Sequence, residues 1–160
     1  MQALGPDLTI SMHSQNIFTA WRTYGVYKIP PESGVSTEFL LPFIAAFDPA
    51  NICRMSVAPG QGETAGNHAG ALDYRLNSLN LPAFMIELGT GQRAAPEEVA
   101  RGIAGYTDAA RRLGILPSAP DQTERRLRHI TRRGHHPASR GGLFRPSFQP
   151  ADVVPAGTPL

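Results

Sequence analysis

The stretch "LPAFMIELGTGQ", residues 81–92, is apolar from Ala83 through Leu88 apart from one acid, Glu87, and two glycines follow that acid closely. An unbroken apolar run of strand length is the mark of a strand covered on both faces, whereas a half-exposed strand alternates. The run therefore predicts a central strand over 83–88 and an α/β fold built around it. Glu87 is the anomaly. A polar group taken out of water without a partner costs roughly 2–7 kcal/mol, and an ionised carboxylate costs more, so this one calls for a partner. The glycines just beyond it leave room for another group to come close.

The segments on either side fit the same architecture. Residues 96–113 predict the clearest helix: Pro96 suits its first turn, Glu97 and Glu98 its positive end, Arg111 and Arg112 its negative end, and Gly114 its stop. Val99, Ile103, Tyr106, Ala110 and Leu113 recur at helical spacing and are expected to form its core stripe. Upstream, "DLTISM" at 7–12 and "ICRMSV" at 52–57 read as strands. The segment 36–47 reads as a helix that Ser36 or Thr37 can cap, in spite of Pro42. Ala65, Ala69, Leu72, Leu76 and Leu79 step by four and three along a further helix, with one apolar face expected. Strands that alternate with helices give an α/β domain over residues 1–116, a parallel or mixed sheet flanked by helices.

After a linker at 117–124 the character changes. "RRLRHIT", "GGLFRPSF" and "ADVVPAGTPL" are short strand candidates broken by Gly and Pro, and residues 125–160 are expected to begin a small all-β domain. No apolar run approaches the roughly 20 residues of a membrane span, and no basic segment leads into an apolar one at the N-terminus, so a cytoplasmic protein without a membrane partner is expected. Cys53 is the single cysteine, which rules out an internal disulfide; its apolar surroundings make it a core residue. The formal charge is only +2, yet seven arginines face two acids between Asp121 and Arg145. Such a run is most often a solvated surface, and no aromatic residues interleave with its arginines from Arg125 to Arg133, so nucleic acid is the least favoured partner.

In an open α/β sheet, ligands bind beyond the carboxyl ends of the strands. His13 and Glu87 are expected at two such ends. A carboxylate at a cleft can act as a base toward water, and an imidazole can hold a metal that activates the water. His68, His129, His135 and His136 lack the i, i+4 spacing or neighbouring carboxylate of a preformed metal site, and Arg75 suits either a substrate carboxylate or the helix surface.

The ordered series "PDLTISMHS", "LPAFMIELGTG", "VARGIAGYTDAARRLGIL" and "GGLFRPSFQPADVVPAGTPL" resembles the succinylglutamate desuccinylase/aspartoacylase family of zinc hydrolases, relatives of the zinc carboxypeptidases, over nearly the whole chain. The resemblance implies a partial zinc-carboxypeptidase-like fold and a Zn²⁺ cofactor. By position, His13 matches the family's third zinc ligand and Glu87 its catalytic glutamate. The sequence departs from the family pattern in two places. Nothing matches the upstream His-x-x-Glu segment that supplies the first two ligands, and Ser11 stands where the family commonly has Asp two residues before the ligand histidine.

The expected function is therefore a zinc-dependent deacylase acting on a small N-acyl amino acid or related amide, present here as an inactive portion, whether monomer or oligomer. The alternative is an interaction module that retains the fold without the chemistry.

Overall fold

The computed structural model describes residues 4–15, 22–55, 70–90, 94–132, 137–145, 147–149 and 152–159. The elements run β1 (Thr9–Gln15), β2 (Tyr24–Tyr27), α1 (Thr37–Ala45), β3 (Asn51–Arg54), α2 (Leu72–Asn77), β4 (Ala83–Thr90), α3 (Pro96–Arg112) and β5 (His129–Ile130). Five strands form one mixed sheet in the order β1-β4-β2-β3-β5. β4 runs parallel to β1 and antiparallel to β2; β2, β3 and β5 are parallel to one another. The strand expected at 83–88 thus lies inside the sheet, paired along both edges. β2 was not expected from the sequence. It has only four residues, contains Gly25 and runs into Lys28-Ile29-Pro30, so it shows neither the length nor the alternation of a strand. Its insertion makes the sheet mixed.

One face packs α1 and α3 against Tyr27, Ile52, Phe84 and Ile86 through Leu40, Phe43, Ile44 and Phe47. The other face carries Val26, Cys53 and Met55, with Tyr24, Met85 and Ile130 packed against them. Cys53 is buried, as expected, and lies outside any disulfide. Ser36 caps α1, its Oγ accepting from the Phe39 N–H at 3.1 Å. Gly114, at φ +71°, ends α3 in the left-handed conformation open to glycine.

The expected core stripe of α3 packs only in part: Leu113 joins the core and the Tyr106 ring meets Phe47 edge-on at 5.2 Å. Val99, Ile103 and Tyr106 are 46%, 63% and 36% exposed, whereas Gly102, Gly105, Asp108 and Ala109 are buried. The packed stripe, Glu98-Gly102-Gly105-Ala109, has the same helical period, displaced by one residue or about 100°. Its glycines permit the contact. A Cβ at Gly105 would lie 2.3 Å from Phe47, and one at Gly102 would lie 3.1 Å from Leu88. Close backbone approach has prevailed over burial of the larger side chains.

The apolar face expected near α2 is likewise partial. Leu76 is 3% exposed, but Leu72 and Leu79 are 43% and 46% exposed, and Ala65 and Ala69 lie outside the described residues. A polar node takes the buried positions instead. Asp73 accepts from Lys28 Nζ through both carboxylate oxygens at 3.0 Å, with each side chain almost fully buried. Asn77, fully buried, donates to the carbonyls of Lys28 and Ala83 and accepts from the Ala83 N–H. Polar positions inside a helix carry no periodic apolar signal, so this node was not legible.

β5 falls in the segment expected to open an all-β domain, and it pairs with β3 in the main sheet. The described residues of 137–159 contain no strand. Among the described residues no helix is long and apolar enough to cross a membrane.

Two stability measurements test this packing. Gly105→Ala is expected to cost about 1–3 kcal/mol by overpacking against Phe47, while Ile103→Ser stays within about 0.5 kcal/mol in urea denaturation. Equal effects would contradict the displaced stripe. Asp73→Ala is expected to cost about 3–5 kcal/mol by stranding the Lys28 ammonium, and Lys28→Met combined with Asp73→Leu to recover most of that loss.

Candidate active site

β1 and β4 place the two expected site residues side by side. In the parallel ladder Ser11 is level with Met85 and His13 with Glu87, and the register becomes irregular between His13 and Gln15. The His13–Glu87 rung is therefore the last regular one before the pairing breaks. Register partners on neighbouring strands, about 4.8 Å apart, project to one face, so the imidazole and the carboxylate share a side of the sheet. That side is opposite α1 and α3, because Phe84 and Ile86, which alternate with Glu87, point to the helices.

The two groups differ in environment. Glu87 is buried, 8% exposed, between strands on either side, and it is not without a partner. His13 lies on the edge strand and is exposed. A shielded carboxylate beside an accessible imidazole is an arrangement suited to proton transfer.

Ser11, two residues before His13 on the same face, lies within hydrogen-bond distance of it, Oγ to Nε2 at 2.9 Å. The serine therefore makes the orienting contact for which the resemblance led us to expect an aspartate. Its chemistry differs. If the hydroxyl donates to Nε2, the proton sits on Nδ1; if Nε2–H donates to the hydroxyl, Nδ1 carries a lone pair available to a ligand.

Sequence reasoning missed Tyr24. In the antiparallel β2–β4 ladder it is level with Glu87, so the carboxylate has His13 on one side and Tyr24 on the other. The signal was hidden in the short segment "TYGVYK". Gly89, in contrast, does what the glycine following Glu87 was expected to do. It has φ +59°, and a Cβ there would lie 2.9 Å from Glu98 Cγ. The first turn of α3 thus comes down on the strand just past Glu87, and the Thr23 hydroxyl donates to the Glu98 carboxylate from the start of β2.

Catalytic zinc takes three protein ligands. Among the described residues no group of three or more His, Cys, Asp and Glu side chains is placed to hold a metal ion. His13 and Glu87 bring one imidazole and one carboxylate to this face, and among the described residues they make no complete ligand set. His129 cannot complete it. β5 is the edge strand opposite β1, four strand spacings or roughly 19 Å from His13. His68, His135 and His136 lie outside the described residues. Arg75 is exposed in the last turn of α2.

Solved structures share this fold. The product-bound ectoine utilization protein EutE (DoeB) from Ruegeria pomeroyi matches with a TM-score of 0.60 and 17% identity, over 77% of this chain and 34% of its own. Its apo form matches with a TM-score of 0.57 and 17% identity, over 80% and 38%. A succinylglutamate desuccinylase from a Silicibacter species matches with a TM-score of 0.56 and 14% identity, over 79% and 36%. The likeness bears out the expected α/β architecture, and one of these proteins carries the name of the family that the quoted segments resemble. The chain spans little more than a third of their length. No protein-family model and no curated protein matches the sequence.

A nitrogen NMR measurement tests the Ser11 contact. Ring ¹⁵N shifts of His13 are expected to report mixed tautomers in the native chain and predominantly the Nε2–H form in Ser11→Asp, since a carboxylate only accepts. Identical spectra would show that Ser11 does not orient the ring.

Proposed function

We propose that this chain carries the base-bearing part of a hydrolytic site that cleaves the amide bond of a small N-acyl amino acid or related amide, the kind of chemistry named in the succinylglutamate desuccinylase of like fold. The observation that supports this reading is the His13–Glu87 rung, which sets a buried carboxylate beside an exposed imidazole on one face of the sheet.

Glu87 takes a proton from water as the oxygen adds to the acyl carbon. It then delivers that proton to the departing nitrogen as the C–N bond breaks, leaving a carboxylic acid and an amine. The strands and the first turn of α3 hold Glu87 in place for both transfers, and the open side of His13 admits the substrate. We assign His13 as one ligand of a zinc ion whose remaining ligands lie outside the described residues. Zinc bound there would polarise the acyl carbonyl and acidify its water.

A second reading is an interaction module that keeps the fold without the chemistry. Ser11 in place of an acid favours it.

One experiment separates them. Expressed with whatever its gene encodes upstream, the polypeptide is expected to retain one zinc after dialysis against a weak chelator and to hydrolyse N-acyl amino acids. Glu87→Gln should lower kcat by about 10²–10⁴-fold with zinc retained, and His13→Ala should release the metal. Hydrolysis indifferent to Glu87→Gln would remove Glu87 as the base. A polypeptide with neither zinc nor hydrolysis would establish the interaction module.

A further inference from the structure

The outer side of α3 keeps an apolar stripe at the surface. Val99, Ile103 and Tyr106 recur at steps of four and three and remain exposed, and the small side chains of Ala100 and Ala104, exposed as well, lie beside them.

The charges of the same helix divide into two groups. Four of its six charged residues are committed within the fold, Arg101 to Asp48 and Glu98, and Arg112 to Asp108. The other two, Glu97 and Arg111, make no hydrogen bond or ion pair among the described residues. Glu97 is exposed; Arg111 is half-buried, its Nε closed to solvent and its terminal nitrogens not. Ala104 lies midway between them in the sequence, so they stand roughly 21 Å apart along one flank of the stripe, the acid in the first turn and the base in the last.

We propose that α3 is the surface through which two copies of this chain associate, laid antiparallel about a two-fold axis near Ala104. A two-fold contact is self-complementary, so every feature must find its match in the same helix reversed. Reversal supplies it here. Glu97 of each copy comes level with Arg111 of the other, the apolar stripe lies on itself with Ile103 close to the axis, and the alanines let the two backbones approach. A parallel pair would bring both acids to one end and both bases to the other. Exposed ion pairs contribute little to affinity, so these set the direction of the contact while the apolar side chains supply the attraction. One helix of about 25 Å buries less than a standard interface, and the expected dissociation constant is on the order of 10⁻⁴ M. The surface is on the side of the sheet opposite Glu87, so it does not depend on the hydrolytic reading.

Sedimentation equilibrium of the full chain, at concentrations spanning that constant, tests the contact. A monomer–dimer equilibrium is expected, and Ile103→Asp should weaken it at least about tenfold by setting two carboxylates near the axis. Glu97→Arg, which creates two like-charged pairs, should weaken it roughly fivefold. Adding Arg111→Glu to Glu97→Arg should restore the dimer, and so should mixing the two single variants, whose reversals complement each other across a mixed pair. Circular dichroism confirms that each variant is folded; should Arg111→Glu not fold, Ile103→Asp and Glu97→Arg, both on exposed side chains, decide. A chain that stays monomeric throughout, or a dimer indifferent to Ile103→Asp, would overturn the proposal. A dimer indifferent to Glu97→Arg, or one that a folded double reversal does not restore, would overturn the antiparallel arrangement.

Discussion

Pairing of β4 along both its edges is the constraint on which the rest of the structure depends. Parallel pairing with β1 brings His13 level with Glu87, and antiparallel pairing with β2 brings Tyr24 level with it from the other side. Because side chains alternate along a strand, the same register that sends Phe84 and Ile86 into the helix-covered core turns Glu87 to the other face. A slip of one residue in either ladder would exchange the two sets, burying the carboxylate among Phe47, Leu40 and Ile44. The apolar residues therefore hold the register, and the register places the acid.

The sequence was most legible where local and tertiary signals agree. The run 83–88 is apolar because most of its side chains are buried inside the sheet, and α3 begins and ends where its proline, its glutamates, its arginines and Gly114 indicate. Legibility failed where small or polar residues decide the packing. The stripe Val99-Ile103-Tyr106 marks α3 as a helix, but Gly102 and Gly105 determine which side meets the sheet, because only they admit Leu88 and Phe47 so closely. Hydrophobic periodicity reports that a helix has two sides. It weighs a glycine as neutral, although a glycine can move the packed side by a whole residue.

The same limit applies to the charged residues. Lys28 and Asp73 look like surface residues in sequence, yet they bury each other, and Asn77 joins the backbone at Lys28 to that at Ala83 beside them. Arg125, counted in a basic run, spends its donors on Ala45 and Asp121. Hydrogen bonds from Thr123 and then the charge of Arg125 hold the Asp121 carboxyl below the usual carboxylate range. Charge density along a chain thus overstates what remains for a partner. Of the described residues in this region, the ones that count toward recognition are those whose bonds are not already made within the fold.

Ser11 shows how one atom type can tune a site without moving it. A carboxylate at this position would accept only, fixing the proton on Nε2 of His13 and presenting Nδ1 as a lone pair; a hydroxyl holds the ring in the same place but accommodates either tautomer. The geometry is kept, and the electronic preference is given up. For a metal site the loss falls on preorganisation, because a cation at Nδ1 would itself select the tautomer with the lone pair there. For an interaction module the same serine is simply a neutral polar residue on an exposed edge strand, where a carboxylate paired with imidazole would have had no use. The side chain that most distinguishes the two readings is therefore not the buried glutamate, whose position the fold dictates, but the half-buried serine beside the imidazole.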